Sequence, residues 1–283
     1  MSIYLLNNSK KNYIFNDNFG LLGKDFTSSF SGFVKRLKDF PIISDSAQHA
    51  IILLGQEDVD ISSVEKVISM DPGLAVTIIK TANVGYSSKA PVSTIKQALI
   101  RIGATRAQGI IVTTSTLANL PENLRLSLAE HAMLSATLAK GIAKVIRYDK
   151  DVAYTMGLVH DIGLALFLIF LNKEGEPLVL PKGRIPEKSS FGMTHGETGA
   201  MYLAYAAFTS EVCNAIKSHH ESLLDLPKPA LIIRLADMLA NLNGLTIETI
   251  AQQEEITSAG KYLGLCESDI QTIVKDSLAE MGA

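Results

Sequence analysis

The 283-residue chain has no tryptophan and only two cysteines, Cys213 and Cys266. Two cysteines cannot build a disulfide framework, and this pair lacks the close spacing of a structural zinc site. A reducing, cytoplasmic setting is the expectation. Charge of one sign is missing too: the net charge is -3 and the pI about 6.1. With no bulk basic field, and no Arg/Lys stripe interleaved with aromatics, no nucleic-acid partner is expected. Long apolar runs are absent as well. The longest, Ile162–Leu171, lies between Asp161 and Asn172 and falls well short of the roughly 20 residues of a spanning helix. It reads as a buried core helix. The opening MSIYLLNNSKKNY lacks the charged region and apolar core of a secretory signal, so no membrane segment is expected.

What is present is an apolar, helix-patterned chain. Hydrophobic residues make up 47% and charged residues 19%, the balance of a globular protein tilted towards burial, with length for one large or two medium domains. Only Ile3–Leu6 has strand character, so residues 1–27 read as a short extended arm. Phe30, Phe33, Val34 and Leu37 then share one helical face, and Pro41 stops that helix. Ser44 or Asp45 can cap a second helix, and Val64, Val67 and Ile68 mark a third. Asp71-Pro72 opens a fourth, with Asp as N-cap and Pro at the first helical position. Ser93 or Thr94 caps the next, Gly103 ends it, and another helix covers about 104–119. Pro121 marks a boundary. The expected organisation is all-α, with packed helical halves at 28–120 and 121–245 and C-terminal helices over 246–283. The second half opens with a helix over Leu124–Arg147. A central helix from Asp149 or Lys150 passes through residues 160 and 161. A loop at 172–193 is rich in Pro, Gly and Lys, and loops of this length are often rims or lids. Thr194 caps a helix whose Gly196, Gly199 and Ala200 allow close contact. Further helices are expected near 210–219, 228–243, 247–258 and 267–280.

The chemistry gathers around Met156–Phe167, where His160 and Asp161 sit side by side in an apolar run. A buried carboxylate needs a hydrogen bond, a charge partner or a cation. His131, His195, His219, His220 and Asp237 flank the pair in the same half. Imidazole and carboxylate donors without cysteine suit Fe, Mn, Zn or Ni. Adjacent helical residues point about 100° apart, so His160 and Asp161 would share an ion only if other helices supplied the remaining ligands. Taken singly, most of these residues have plainer readings. His131 alone reads as a surface or capped histidine. His195 reads as a helix-start hydrogen bonder, and His219-His220-Glu221 as histidines favoured at a helix C-terminus. His49 stands apart in the first half. Asp237, a lone carboxylate in Leu235–Leu239, is harder to dismiss. The set carries the inference, not its members.

The order His131, His160-Asp161, Asp237 resembles the signature of HD-superfamily metal-dependent phosphohydrolases. Adding His195 and His219-His220-Glu221 extends the resemblance to the HD-GYP cyclic-di-GMP phosphodiesterases. The first half is more specific. Val67–Asn83, containing Met70-Asp71-Pro72-Gly73-Leu74 and Thr81-Ala82-Asn83, resembles the I-x-x-D-P-x-L…A-N-S segment of HDOD domains. Ser93–Gly103 is similar to the following I-x-x-A-I-x-x-L-G helix, and Gly157–Gly163 to G-L-L-H-D-I-G. The resemblance spans roughly residues 28 to 243 and implies an all-helical bacterial signalling module, a relative of HD hydrolases with an eroded site. More of the ligand set is retained here than in typical HDOD members. Leu164 stands where HD-GYP enzymes have lysine, and Ser222–Pro227 contains no Gly-Tyr-Pro. A leucine supplies no ammonium for a phosphate, which weighs against cyclic-di-GMP hydrolysis.

Two functions follow from the resemblance. The first is a regulatory protein that contacts signalling partners, with an HD-type site holding one or two divalent transition-metal ions. The alternative is a metal-dependent phosphohydrolase acting on a nucleotide-type phosphate mono- or diester. In it His131, His160, Asp161 and Asp237 would hold a first ion, and His195 with His219 or His220 a second. Asp161 would bridge them as the catalytic candidate, with a bound water as nucleophile. Lys182, Arg184 and Lys188 in the 172–193 loop could attract the anion, although a solvated loop is their plainer reading.

Overall fold

The structure is a computed structural model that describes residues 43–84, 90–173, 191–243 and 253–282. Among these residues every regular element is helical and no strand occurs. Ile3–Leu6, the 28–37 segment, Lys182, Arg184 and Lys188 lie outside the described residues.

Side-chain caps set the starts of the first helices. Ser44 Oγ accepts the Ala47 amide at the head of α1 (Asp45–Leu54). Asp60 takes the Ser62 amide at α2 (Ile61–Ser69). Asp71 Oδ1 accepts the Leu74 amide at 3.1 Å while Pro72 opens α3 (Pro72–Val84); each such cap is worth about 1 kcal/mol. Asn83 then grips Val92, accepting its N–H at 2.8 Å and donating to its carbonyl at 2.9 Å. This ties the end of α3 to the approach of α4 (Ile95–Ile102), which gives the Ala-Asn of the sequence motif a structural role. Thr94 caps α4 rather than Ser93, and Gly103 at φ 86° turns the chain into α5 (Ala104–Leu117).

The second half is built on α6 (Glu122–Val145), 24 residues long and so about 36 Å from end to end. On it pack α7 (Lys150–Val159), α11 (Lys228–Leu242) and α13 (Glu267–Met281). Beside them lie α8 (Ile162–Lys173), α9 (His195–Tyr205), α10 (Ser210–Ser218) and α12 (Gln253–Tyr262). Of the helix expected over 247–258, residues 253–258 are helical, and residues 244–252 are not described. The first half docks through α5, which packs on both α1 and α7. Buried Gln108 of α5 donates to the carbonyls of Ile51, Ala206 and Ala207 at 3.1–3.4 Å. One amide therefore joins the ends of α1 and α9 across the two halves, and the apolar core is continuous between them.

The helix expected to run through His160 and Asp161 is interrupted there. α7 ends at Val159 and α8 starts at Ile162. In a continuing helix the Gly157 carbonyl would accept the amide of residue 161. Here His160 Nδ1 takes that carbonyl at 2.8 Å, a side chain competing with the helix ladder. The ladder restarts when Leu164 N and Ala165 N bond the Asp161 carbonyl. Counted together, Lys150–Asn172 is long and apolar enough to cross a membrane, and 100% of its most apolar window is buried inside the protein. Core helices meet the same composition test, and these two are core.

Candidate metal centre

Helix ends deliver most of the site. His160 is the C-cap of α7, Asp161 immediately precedes α8, His195 is the first residue of α9, and His219 is the C-cap of α10. His131 comes from mid-α6 and Asp237 from mid-α11. Two glycines let these ends approach. A Cβ on Gly157 would lie 2.7 Å from the Ser135 carbonyl oxygen, and one on Gly163 would overlap the carbonyl of His195. Backbone contact at Gly157 brings His160 beside His131. Contact at Gly163 brings α9, with His195, against the start of α8. Thr194 and Glu197 complete a capping box that holds the head of α9.

Two sets of donor atoms result, with Asp161 common to both. In the first, His131 Nε2 lies 3.2 Å from His160 Nε2, 3.5 Å from Asp161 Oδ2 and 3.2 Å from Asp237 Oδ1. His160 Nε2 is 3.2 Å from Asp161 Oδ2 and 3.7 Å from Asp237 Oδ1. In the second, His195 Nε2 and His219 Nε2 are 3.3 Å apart, at 3.6 and 3.9 Å from Asp161 Oδ1. Ring contacts add His220 to the second set, beside His195 and His219. The two oxygens of one carboxylate thus face two different histidine sets. The predicted ligands His131, His160, Asp161, His195, His219, His220 and Asp237 are brought together. His131, read alone as a surface residue, is 1% exposed. His49 is exposed and remote from the cluster in the chain.

Electrostatics fix what the cluster wants. Burial is the largest influence on His160 and opposes its charge, but the Asp161 and Asp237 carboxylates outweigh it and hold its pKa well above the usual histidine value. Burial also works against ionised Asp161 and Asp237. The surrounding rings outweigh it, His160 foremost for Asp161 and His131 with His160 for Asp237, and hold both pKa values below the ordinary carboxylate range. His219 is pushed well below the histidine norm by burial, then by the His220, His195 and His160 rings. The cluster is a pair of buried carboxylates that demand positive charge between them.

The donor set fits a divalent ion. Ligands at about 2.1 Å from a shared tetrahedral centre stand about 3.4 Å from one another, the spacing of the first set. Because a carbonyl can only accept, His160 Nδ1 donates to Gly157 and His219 Nδ1 donates to the Ile216 carbonyl at 2.6 Å. Their Nε2 atoms are therefore the positions left for a proton or a metal, as in histidine ligands oriented by an outer partner. Asp161 Oδ1 is buried and accepts no hydrogen bond. Asn241, one turn beyond Asp237, donates to Asp237 Oδ1 at 2.9 Å. Asn241, Ser135 beside His131, and Arg234 with Glu255 were not singled out from the sequence. Arg234 had a visible signal: a guanidinium one turn before Asp237 inside an apolar helix.

A family model for the HDOD domain matches residues 40–222. The chain belongs to the HDOD family. The match ends before Asp237, so one carboxylate of the cluster in this HDOD chain lies outside it. A search of curated proteins returned no match. Solved structures share the fold. One is a "Putative phosphohydrolase" from Shewanella amazonensis SB2B, with 18% identity, TM-score 0.62, and coverage of 88% of this chain and 94% of that one. Another is an HDOD domain protein of unknown function from Geobacter sulfurreducens, with 20% identity, TM-score 0.60, and coverage of 91% and 95%. A third is a "Putative signal transduction protein" from Marinobacter aquaeolei VT8, with 19% identity, TM-score 0.64, and coverage of 93% and 65%.

Proposed function

We propose that this HDOD protein is a bacterial regulatory module whose second half holds one or two divalent metal ions at a retained HD-type site. The observation that carries the reading is the Asp161 carboxylate, whose Oδ2 faces His131 and His160 while Oδ1 faces His195 and His219. His131, His160, Asp161 and Asp237 would hold one ion; Asp161, His195 and His219 would hold another. Enclosure favours regulation over turnover: His160 and His219 are 0% exposed and Asp161 only 9%. Signalling proteins are the partners this reading implies.

A phosphohydrolase is the second reading, favoured by the completeness of the His/Asp set. A bound ion would act there as a Lewis acid and lower the pKa of water. Asp161 would orient both halves of the centre, and Asn241 would hold Asp237 in place. Leu164 is fully buried among apolar neighbours, so it cannot bind phosphate.

Metal content by mass spectrometry on the untagged protein, beside an Asp161→Ala variant, tests the main reading. Stoichiometric transition metal in the wild type and its loss in the variant are expected. A folded wild type that takes up no metal from Mn²⁺ or Zn²⁺ would remove the centre from the account. Turnover of aryl phosphate mono- or diesters that disappears in Asp161→Ala would replace regulation with hydrolysis.

A further inference from the structure

The histidines of the second set are not equivalent. His219 spends its Nδ1 proton on the Ile216 carbonyl, leaving an Nε2 lone pair towards Asp161 and His195. His220 is held the opposite way. Arg234 Nη1 lies 2.5 Å from His220 Nδ1, and a guanidinium has donors and no acceptor. Nδ1 must therefore accept, and in a neutral imidazole the proton then resides on Nε2. While this contact persists, neither nitrogen of His220 can ligate a metal: one lone pair is occupied and the other nitrogen is protonated.

The contact is built rather than incidental. Arg234 is 8% exposed, and its Nη2 is paired with Glu255 of α12. α12 packs on α11, which carries Arg234 three residues before Asp237. Arg234 Nε is buried with no hydrogen-bond partner, so the guanidinium is not saturated by protein. His220 is the least enclosed member of its metal-competent group. With Leu164 buried, Arg234 is a cation directly behind the second set.

We propose that Arg234 removes His220 from the metal-ligating set and makes it, through Nε2–H, a hydrogen-bond donor to an anionic oxygen, such as that of a phosphate, bound at the second set. Arg234 is a positioning residue in this arrangement, with Glu255 fixing Arg234. The inference rests on the metal-centre reading, narrows the second ion's protein ligands to Asp161, His195 and His219, and assigns the class of ligand that the centre meets.

The test is long-range ¹H–¹⁵N spectroscopy of histidine-labelled protein at about pH 8, where ordinary histidines are neutral. The metal-free protein, its Zn²⁺ titration and a following titration with inorganic phosphate are compared. The expected result is an Nε2–H tautomer at His220, an Nδ1–H tautomer at His219, and at His160 an Nδ1–H beside a protonated Nε2 that gives up its proton to the metal. Zn²⁺ should move the Nε2 resonances of His160 and His219 strongly and leave His220 protonated, and phosphate should then move His220 Nε2–H. In Arg234→Met the freed His220 should change tautomer or begin to respond to Zn²⁺. His220→Ala should retain the wild-type metal equivalents and bind phosphate about tenfold more weakly; it decides the matter if Arg234→Met does not fold. An Nδ1–H tautomer at His220, a lost metal equivalent in His220→Ala, or unchanged phosphate binding would overturn the proposal. If no histidine responds to metal, the metal-centre reading fails by itself, and the tautomer and phosphate response still decide the role of His220.

Discussion

At the scale of single residues, the proposed centre is one in which protons and a metal would compete for the same positions. Asp161 and Asp237 are held ionised, and His219 is held neutral. His160 has a raised folded-state pKa. Its proton therefore stabilises the metal-free fold fully below the unfolded value of about 6.5, and that contribution is lost as pH rises through the raised folded value. A metal at His160 Nε2 must expel this proton. Between about pH 6 and pH 8, metal affinity should strengthen by up to about tenfold per pH unit for each proton displaced. Titrations of Mn²⁺ in buffers of differing ionisation enthalpy measure the released protons directly. Affinity independent of pH, with no proton release, would contradict the assigned state of His160.

At the scale of elements, the site depends on backbones meeting at glycine. Leu158 and Val159 pack in the core, but Gly157 decides how closely α7 lies on α6, and Gly163 how closely α8 approaches α9. Neither backbone can retreat cheaply from a methyl group. Gly163→Ala should destabilise the fold by about 2 kcal/mol or more, and should lower metal content even where the protein stays folded. Thr194→Ala offers a milder comparison: it removes one capping bond at the head of α9 and should cost about 1 kcal/mol. Chemical denaturation together with metal analysis measures both effects. A Gly163→Ala protein as stable and as metal-rich as the wild type would show that the close approach is not what assembles the site.

At the scale of the whole molecule, the two helical halves share one core, and Gln108 provides the polar join inside it. Its amide serves three carbonyls from α1 and the end of α9. Gln108→Leu leaves those buried acceptors without their donor, which costs roughly 1–3 kcal/mol. The first half should then lose hydrogen-exchange protection before the second. A metal held at the proposed centre would act on the other side of the same balance. An ion bound only by the folded chain raises stability with its concentration, so Tm should rise with added Mn²⁺ and fall again with chelator. Equal protection across both halves in Gln108→Leu would mean that apolar contact alone joins them.

Much of this was legible in the chain. Apolar spacing and capping residues implied an all-helical fold, because both report on local backbone energetics. Ser44, Asp71, Thr94 and Thr194 cap where their residue types and spacing place them. The members of the His/Asp cluster were readable because an isolated carboxylate in an apolar run needs partners wherever the chain finds them. Other features were invisible locally. The break at His160-Asp161 comes from a side chain taking a helix carbonyl, and periodicity carries no trace of that. His131 looked like a surface residue because its burial depends on α7 and α11 covering α6. Which nitrogen of His160, His219 and His220 is engaged away from the cluster depends on Gly157, Ile216 and Arg234. Residue types and spacing determine which groups are available. Only tertiary packing decides which atom of each faces the centre, because that choice is made by the hydrogen-bond partner on the opposite side of the ring.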